Sequence, residues 1–162
     1  LDAETGRGKR PAAFWMYGAQ AVEVEVDPET GRMNILRFCT AHDVGKVINP
    51  LTCEQQMEGA LAMGIGFALF EKVDIEEGQI LNPSLEAYKI PTALDLPQDV
   101  RIFFVEEPHP EGPYGAKGLA EPATAPTAAA IANALFDATG IRMREVPLTA
   151  EKVQRALEKS ER

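Results

Sequence analysis

Cysteine and histidine are scarce in this chain of 162 residues, with two of each. Cys39 and Cys53 cannot build a disulfide framework, and no CxxC pair or Cys/His metal spacing occurs. That scarcity favours a reducing, cytoplasmic setting. His42 and His109 lack ligand-like spacing and read as surface or satisfied loop residues, so no metal ligand is assigned. Positive charge is also short. Lys and Arg number 16 against 25 Asp and Glu, for a formal net charge of −9. No basic cluster exists to meet phosphates, which argues against a nucleic-acid partner. Long apolar runs are missing too. The longest, Ala60 to Phe70, falls far short of the roughly 20 residues a membrane helix needs, and the N-terminus carries no apolar signal-peptide core. There is no GxGxxG after a strand, no GxxxxGK[ST] loop, no HExxH and no G-x-S-x-G elbow.

What is present suits one globular domain: 45 % hydrophobic and 25 % charged residues. The chain starts at Leu1 and not at Met, so it is expected to be a fragment or a processed product, either an excised domain or a small subunit that pairs with another chain. Residues 1–16 read as a flexible leader and 17–162 as the domain. Ala-Val-Glu-Val-Glu-Val at 21–26 has the period of a half-buried strand. Asp27-Pro28-Glu29-Thr30-Gly31 supplies turn chemistry, and Met33 to Ala41 returns as the second strand of a hairpin. Thr52 and Gln55 form a capping box for a helix from about Cys53 to about Phe70. Its glycines, Gly59, Gly64 and Gly66, call for close approach of backbone to something else. Glu71 to Leu81 reads as a second hairpin turning at Glu77-Gly78, and Val100 to Glu106 as a strand. Pro108 to Ala120 is a Pro- and Gly-rich loop. Thr124 to Thr139 is an Ala-rich helix ended by Gly140. Arg142 to Val146 reads as a short strand, and Thr149 caps a last helix to about Lys159. Strands and helices mix without a βαβ rhythm, so the fold class is α+β: hairpins and a mixed sheet packed with three helices.

Two segments carry chemistry. In Gly115-Ala116-Lys117-Gly118-Leu119-Ala120-Glu121-Pro122, glycines allow consecutive backbone N–H groups to face an anion or polar ligand, and Lys117 adds charge. Glu121 has two readings here: a general base, or a surface carboxylate complementing a helix dipole. In Gln55 to Ala60, the residues Gln56, Gly59, Ala60, Met63 and Gly64 share one helical face. That face is either a wall for a flat polar cofactor or a small-residue packing surface.

Four motifs occur in order: Asp43-Val44-Gly45 with Asn49-Pro50, then Gln56-Met57-Glu58-Gly59-Ala60, then Tyr88-Lys89-Ile90-Pro91, then Gly115 to Pro122. With these the chain resembles the C-terminal part of the molybdenum-binding (molybdopterin) subunit of the xanthine dehydrogenase / aldehyde oxidase family, from about Tyr17 to about Leu157. The resemblance implies the second half of a molybdenum cofactor-binding domain. It implies hydroxylation of an aldehyde or N-heterocycle with water-derived oxygen, Glu121 being the catalytic general base. It implies that Gln56, Gly59, Gly115, Ala116, Lys117, Gly118 and Leu119 contribute to cofactor binding. Two positions depart from the family pattern: Ala120 stands where glycine is usual, and Met63 where a second glutamine is common.

Family subunits are several times longer, so the remaining cofactor loops are expected on another domain or chain. The resemblance implies iron–sulfur clusters and FAD on partner subunits; the two cysteines here cannot ligate even one cluster by the usual four-thiolate scheme. Alone, the chain is expected to be inactive. The competing expectation is a non-catalytic binding or assembly module of the same fold.

Overall fold

The computed structural model describes residues 4–6 and 15–160. Residues 1–3 and 7–14, most of the expected leader, lie outside the described residues. The first hairpin pairs β1 (Gly18–Val26) with β2 (Met33–Asp43) antiparallel. Asp27 closes its turn: its carboxylate accepts from the Glu29 N–H at 2.9 Å and the Thr30 hydroxyl at 2.7 Å, and Gly31 takes φ +69°. Helix α1 (Pro50–Leu69) follows. Its N-cap is Asn49, three residues earlier than the expected Thr52. Pro50 holds the first helical position, where a missing N–H does no harm, and Asn49 accepts from the Thr52 N–H.

The second hairpin is short, β3 (Ile75–Glu76) with β4 (Gln79–Ile80), and turns through Glu77 and Gly78, both at positive φ. A single helical turn, α2 (Leu85–Tyr88), follows. Strand β5 (Asp99–Val105) pairs parallel with β2, giving the sheet order β1-β2-β5. The sheet is therefore mixed. One parallel crossover containing α1 exists, a feature the hydrophobic rhythm did not announce, but it does not repeat and the class remains α+β. Helix α3 (Thr127–Thr139) begins three residues after the expected Thr124, because Glu121–Ala123 forms a separate 3₁₀ turn; Gly140 ends it with φ +73°. Helix α4 (Ala150–Ser160) closes the chain, capped by Thr149, whose hydroxyl faces the Lys152 N–H.

Arg142 to Val146 is not a strand. The stretch runs along helices: Arg142 donates to Asn133 at 2.6 Å and stacks over the Phe136 ring, and the Leu148 N–H donates to Ala68 O at the end of α1. Its backbone meets no sheet edge, so strand propensity has nothing to pair with.

The main core joins Phe38 of β2 to Leu61, Ile65, Ala68 and Leu69 of α1, Ile131 and Leu135 of α3, and Leu148 and Val153. Gly64 explains the closeness of α1 and α3: a Cβ there would lie 2.6 Å from the Thr127 side chain. A second, smaller cluster forms from Met57, Ala60 and Ala123, with Ile102, Phe104 and Leu119 packed on it. This cluster seats the loops that matter below.

Candidate functional site

Strands β2 and β5 run parallel and end side by side, with Asp43 opposite Val105. The loops leaving these two ends are clasped together. Lys117 N–H donates to Val44 O at 2.9 Å and Lys46 N–H to Gly115 O at 3.0 Å, an antiparallel bridge centred on Gly45 and Ala116. Gly45 must be glycine: its φ is +65°, and a Cβ would fall 2.3 Å from Gly115 O. Beneath the clasp, Lys117 Nζ donates to Asp43 Oδ2, with side chains 8 % and 7 % exposed. The Gly45 N–H donates to Asp43 Oδ1 at 3.0 Å. Burial pushes the Asp43 carboxyl up, but Lys117 and the Gly45 N–H together outweigh it and hold the group below the usual carboxylate range.

The predicted cofactor loop thus divides into two parts. Gly115, Ala116 and Lys117 form the clasp, and the Lys117 ammonium faces Asp43 and not solvent. From Gly118 to Glu121 the backbone N–H groups are free, while the Ala120 and Glu121 carbonyls accept from the Ala123 and Thr124 N–H groups. Among the described residues, the N–H groups of Gly118, Leu119, Ala120 and Glu121 donate to no protein acceptor. The Leu119 side chain packs inward against the Met57–Ala60–Ala123 cluster, so only its backbone is available.

Ala120 then turns the chain at φ 145°, ψ −101°, a conformation natural only to glycine. The next residues are firmly seated. Ala123 is buried, and its carbonyl accepts from Gln20 Nε2 at 2.8 Å. Thr124 Oγ1 donates to Ala60 O at 3.2 Å, and Thr127 Oγ1 to Gln20 Oε1 at 2.9 Å. The Glu121 carboxylate itself is exposed and makes no hydrogen bond or ion pair among the described residues. It is an open carboxylate at the start of a seated turn.

Helix α1 supplies the neighbouring wall. Ala60 and Gly64, expected on one face with Gln56, are buried under the turn and α3, whereas Gln56, Gly59 and Met63 are exposed beside them. The three glycines separate accordingly. Gly64 and Gly66 would each clash with a neighbour if they bore a Cβ, and a Cβ at Gly59 would meet nothing within 4 Å. Gly59 leaves its backbone bare on the surface.

Sequence reasoning missed Gln20, Asp43 and Thr124 as site-building residues. Asp43 lay in a quoted motif, but its partner is 74 positions away. His42, read as a surface or satisfied loop residue, is instead a strand residue and buried; among the described residues its Nε2 has no partner, and burial lowers its pKa. No three His, Cys, Asp or Glu side chains cluster as metal ligands among the described residues.

An exposed amide, a bare helical backbone and four adjacent free N–H groups fit a flat, polar, hydrogen-bond-accepting group. Comparison with known proteins agrees in kind. Residues 1–97 match the family model of the molybdopterin cofactor-binding domain. The chain is 42 % identical over 139 residues to the xanthine dehydrogenase molybdenum-binding subunit of Escherichia coli O157:H7, covering 85 % of this chain and 18 % of that protein. It is 40 % identical over 158 residues to the aldehyde oxidoreductase of Megalodesulfovibrio gigas, covering 96 % and 17 %. The solved structure of quinoline 2-oxidoreductase from Pseudomonas putida 86 superposes with a TM-score of 0.82 at 36 % identity, over 88 % of this chain and 18 % of that one. The chain spans less than a fifth of these relatives. It belongs to the molybdopterin cofactor-binding domain family, alongside the molybdenum-binding subunits of xanthine dehydrogenases and aldehyde oxidoreductases.

Proposed function

We propose that this chain forms one wall of the active site of a molybdenum hydroxylase acting on an aldehyde or N-heterocycle, with residues 17–162 as the cofactor-binding unit. The observation that carries the reading is the row of free N–H groups from Gly118 to Glu121, ending on an unencumbered carboxylate and seated against α1. The backbone of Gly118 to Glu121 donates hydrogen bonds to the cofactor, which Gly115, Ala116 and Lys117 support from the clasp. Gln56 contributes its amide, and Gly59 lets a flat group lie against the helix backbone. When bound, the molybdenum cofactor supplies Lewis acidity and an electron sink for hydroxylation with water-derived oxygen.

Glu121 serves as the general base. Its carboxylate takes the proton from the attacking water-derived oxygen, and the seated turn holds it in reach. The rest of the cofactor cage comes from another domain or chain, and iron–sulfur and flavin subunits carry the electrons away in a cytoplasmic complex. No helix among the described residues is long and apolar enough to cross a membrane. The chain alone is inactive in this reading.

The test is Glu121→Gln in the assembled enzyme. The substitution keeps shape and removes the proton acceptor, so turnover should fall about 10²- to 10⁴-fold, or roughly 3 to 5 kcal/mol. Molybdenum content should stay at the wild-type level. Near-normal turnover at full occupancy would remove Glu121 from the mechanism and leave the non-catalytic module as the better reading.

A further inference from the structure

We infer that Asp43 and Lys117 act together as a positioning pair, setting the Gly118–Glu121 amide row in register for the cofactor. The inference rests on the proposed function of that row. No N–H of the row donates within the protein among the described residues; its backbone bonds are those its last two carbonyls accept, Ala120 O from the Ala123 N–H and Glu121 O from the Thr124 N–H, both at 2.9 Å. Its geometry must be imposed from its two ends. The C-terminal end is held by buried Ala123 and by the bonds of Gln20, Thr124 and Thr127. The N-terminal end is Lys117, gripped twice: by its backbone N–H on Val44 O and by its ammonium on Asp43.

Asp43 is itself held on several sides. It is the last residue of the central strand, its N–H donates to Tyr17 O at 2.8 Å, and its second oxygen accepts from Gly45. The pair therefore refers the start of the amide row to the centre of the sheet. A buried ion pair adds little net stability, because desolvation of both charges offsets their attraction. What it imposes is one geometry, since a single carboxylate oxygen meets a single ammonium in a closed space. Neither side chain reaches the open face of the row, so both act through the backbone that follows Lys117.

The experiment compares Asp43→Asn, Lys117→Met and the double variant D43N/K117M in the purified protein, isolated with the subunits that accompany it. The Asp43→Asn side chain keeps an oxygen for the Gly45 N–H. The double variant leaves no unpaired buried charge, so it folds even where Lys117→Met alone does not. Two readouts are taken: hydrogen exchange in cofactor-stripped protein of the bonded clasp amides at positions 46 and 117, which lie at the start of the row, and molybdenum and pterin retained after extended dialysis. We expect faster exchange at these clasp amides. Cofactor retention should fall by on the order of tenfold or more, the size seen when groups that orient a metal site are removed. The double variant should be no worse than either single one, as befits a unit. Unchanged exchange overturns the inference, and so does faster exchange with cofactor fully retained. A general-base failure at Glu121 would show in turnover alone and leave both readouts untouched.

Discussion

Replacing Ala120 by glycine should make this protein more stable, although it deletes a methyl group. Ala120 sits at φ 145°, ψ −101°, where an L side chain crowds its own backbone. Such sparsely populated conformations are unfavourable by about 1–3 kcal/mol. Glycine removes that strain but gives the unfolded chain more freedom, which offsets about 0.5–1 kcal/mol of the gain. The net expectation is stabilisation of about 0.5–2 kcal/mol, or roughly 1–8 °C in melting temperature for a domain of this size. Ala134, in the middle of α3, is the control. The same substitution there should destabilise by about 1 kcal/mol, because a helix interior disfavours glycine. Thermal unfolding followed by circular dichroism and by calorimetry reads both. If Ala120→Gly lowered the melting temperature as Ala134→Gly does, the turn would not be strained, and the account of why glycine is usual at this position would fail.

Gly59 and Gly64 should respond oppositely to alanine. Gly59→Ala fills open space on a helix, so the cofactor-free protein should gain up to about 1 kcal/mol in unfolding free energy while cofactor retention drops. Gly64→Ala drives a Cβ into Thr127 and should destabilise by about 1–3 kcal/mol, read as a lower urea midpoint. His42 should make stability depend on pH. Burial lowers its folded-state pKa, so the unfolded state binds the proton first; stability should be level above about pH 6.5 and decline as pH falls below it. A urea series from pH 7.5 to 5 checks this, and His42→Leu should flatten that stretch of the curve. The Asp43 contribution is lost separately, at lower pH, as its depressed carboxyl titrates.

How much of this was legible depends on the range of the interaction responsible. The first hairpin was readable because its signals are local: alternation over 21–26, then an Asp-Pro-Glu-Thr-Gly turn. The existence of α1 was readable, but its start was not, since Thr52 and Asn49 are both good caps and Pro50 decided between them. The Arg142 to Val146 strand failed because propensity carries no information about whether an edge is available. The amide row was anticipated from the glycines of Gly115 to Gly118. Its division into a bonded clasp and a free stretch was not, because Gly45 and Asp43 decide it from a distant part of the sequence. Likewise, the three glycines of α1 look alike in sequence, and only their neighbours distinguish a packing glycine from an exposed one.

The departures from ordinary local chemistry are not scattered through the molecule. Positive φ at Glu77 and Lys89 belongs to a hairpin turn and a helix end, where it is commonplace. The others gather at one end of the sheet: Tyr114 and Ala120 at positive φ, the buried Asp43–Lys117 pair, and His42 with a buried nitrogen unpartnered among the described residues. The four unbonded N–H groups lie there as well. Each is locally unfavourable, and a chain selected for stability alone would have little reason to collect them in one place. Their concentration is an argument for function that needs neither a motif nor a relative. It also identifies what the fold is organised to hold still: a short stretch of backbone whose N–H groups find no acceptor among the described residues and are presented, beside a carboxylate, to something outside the chain.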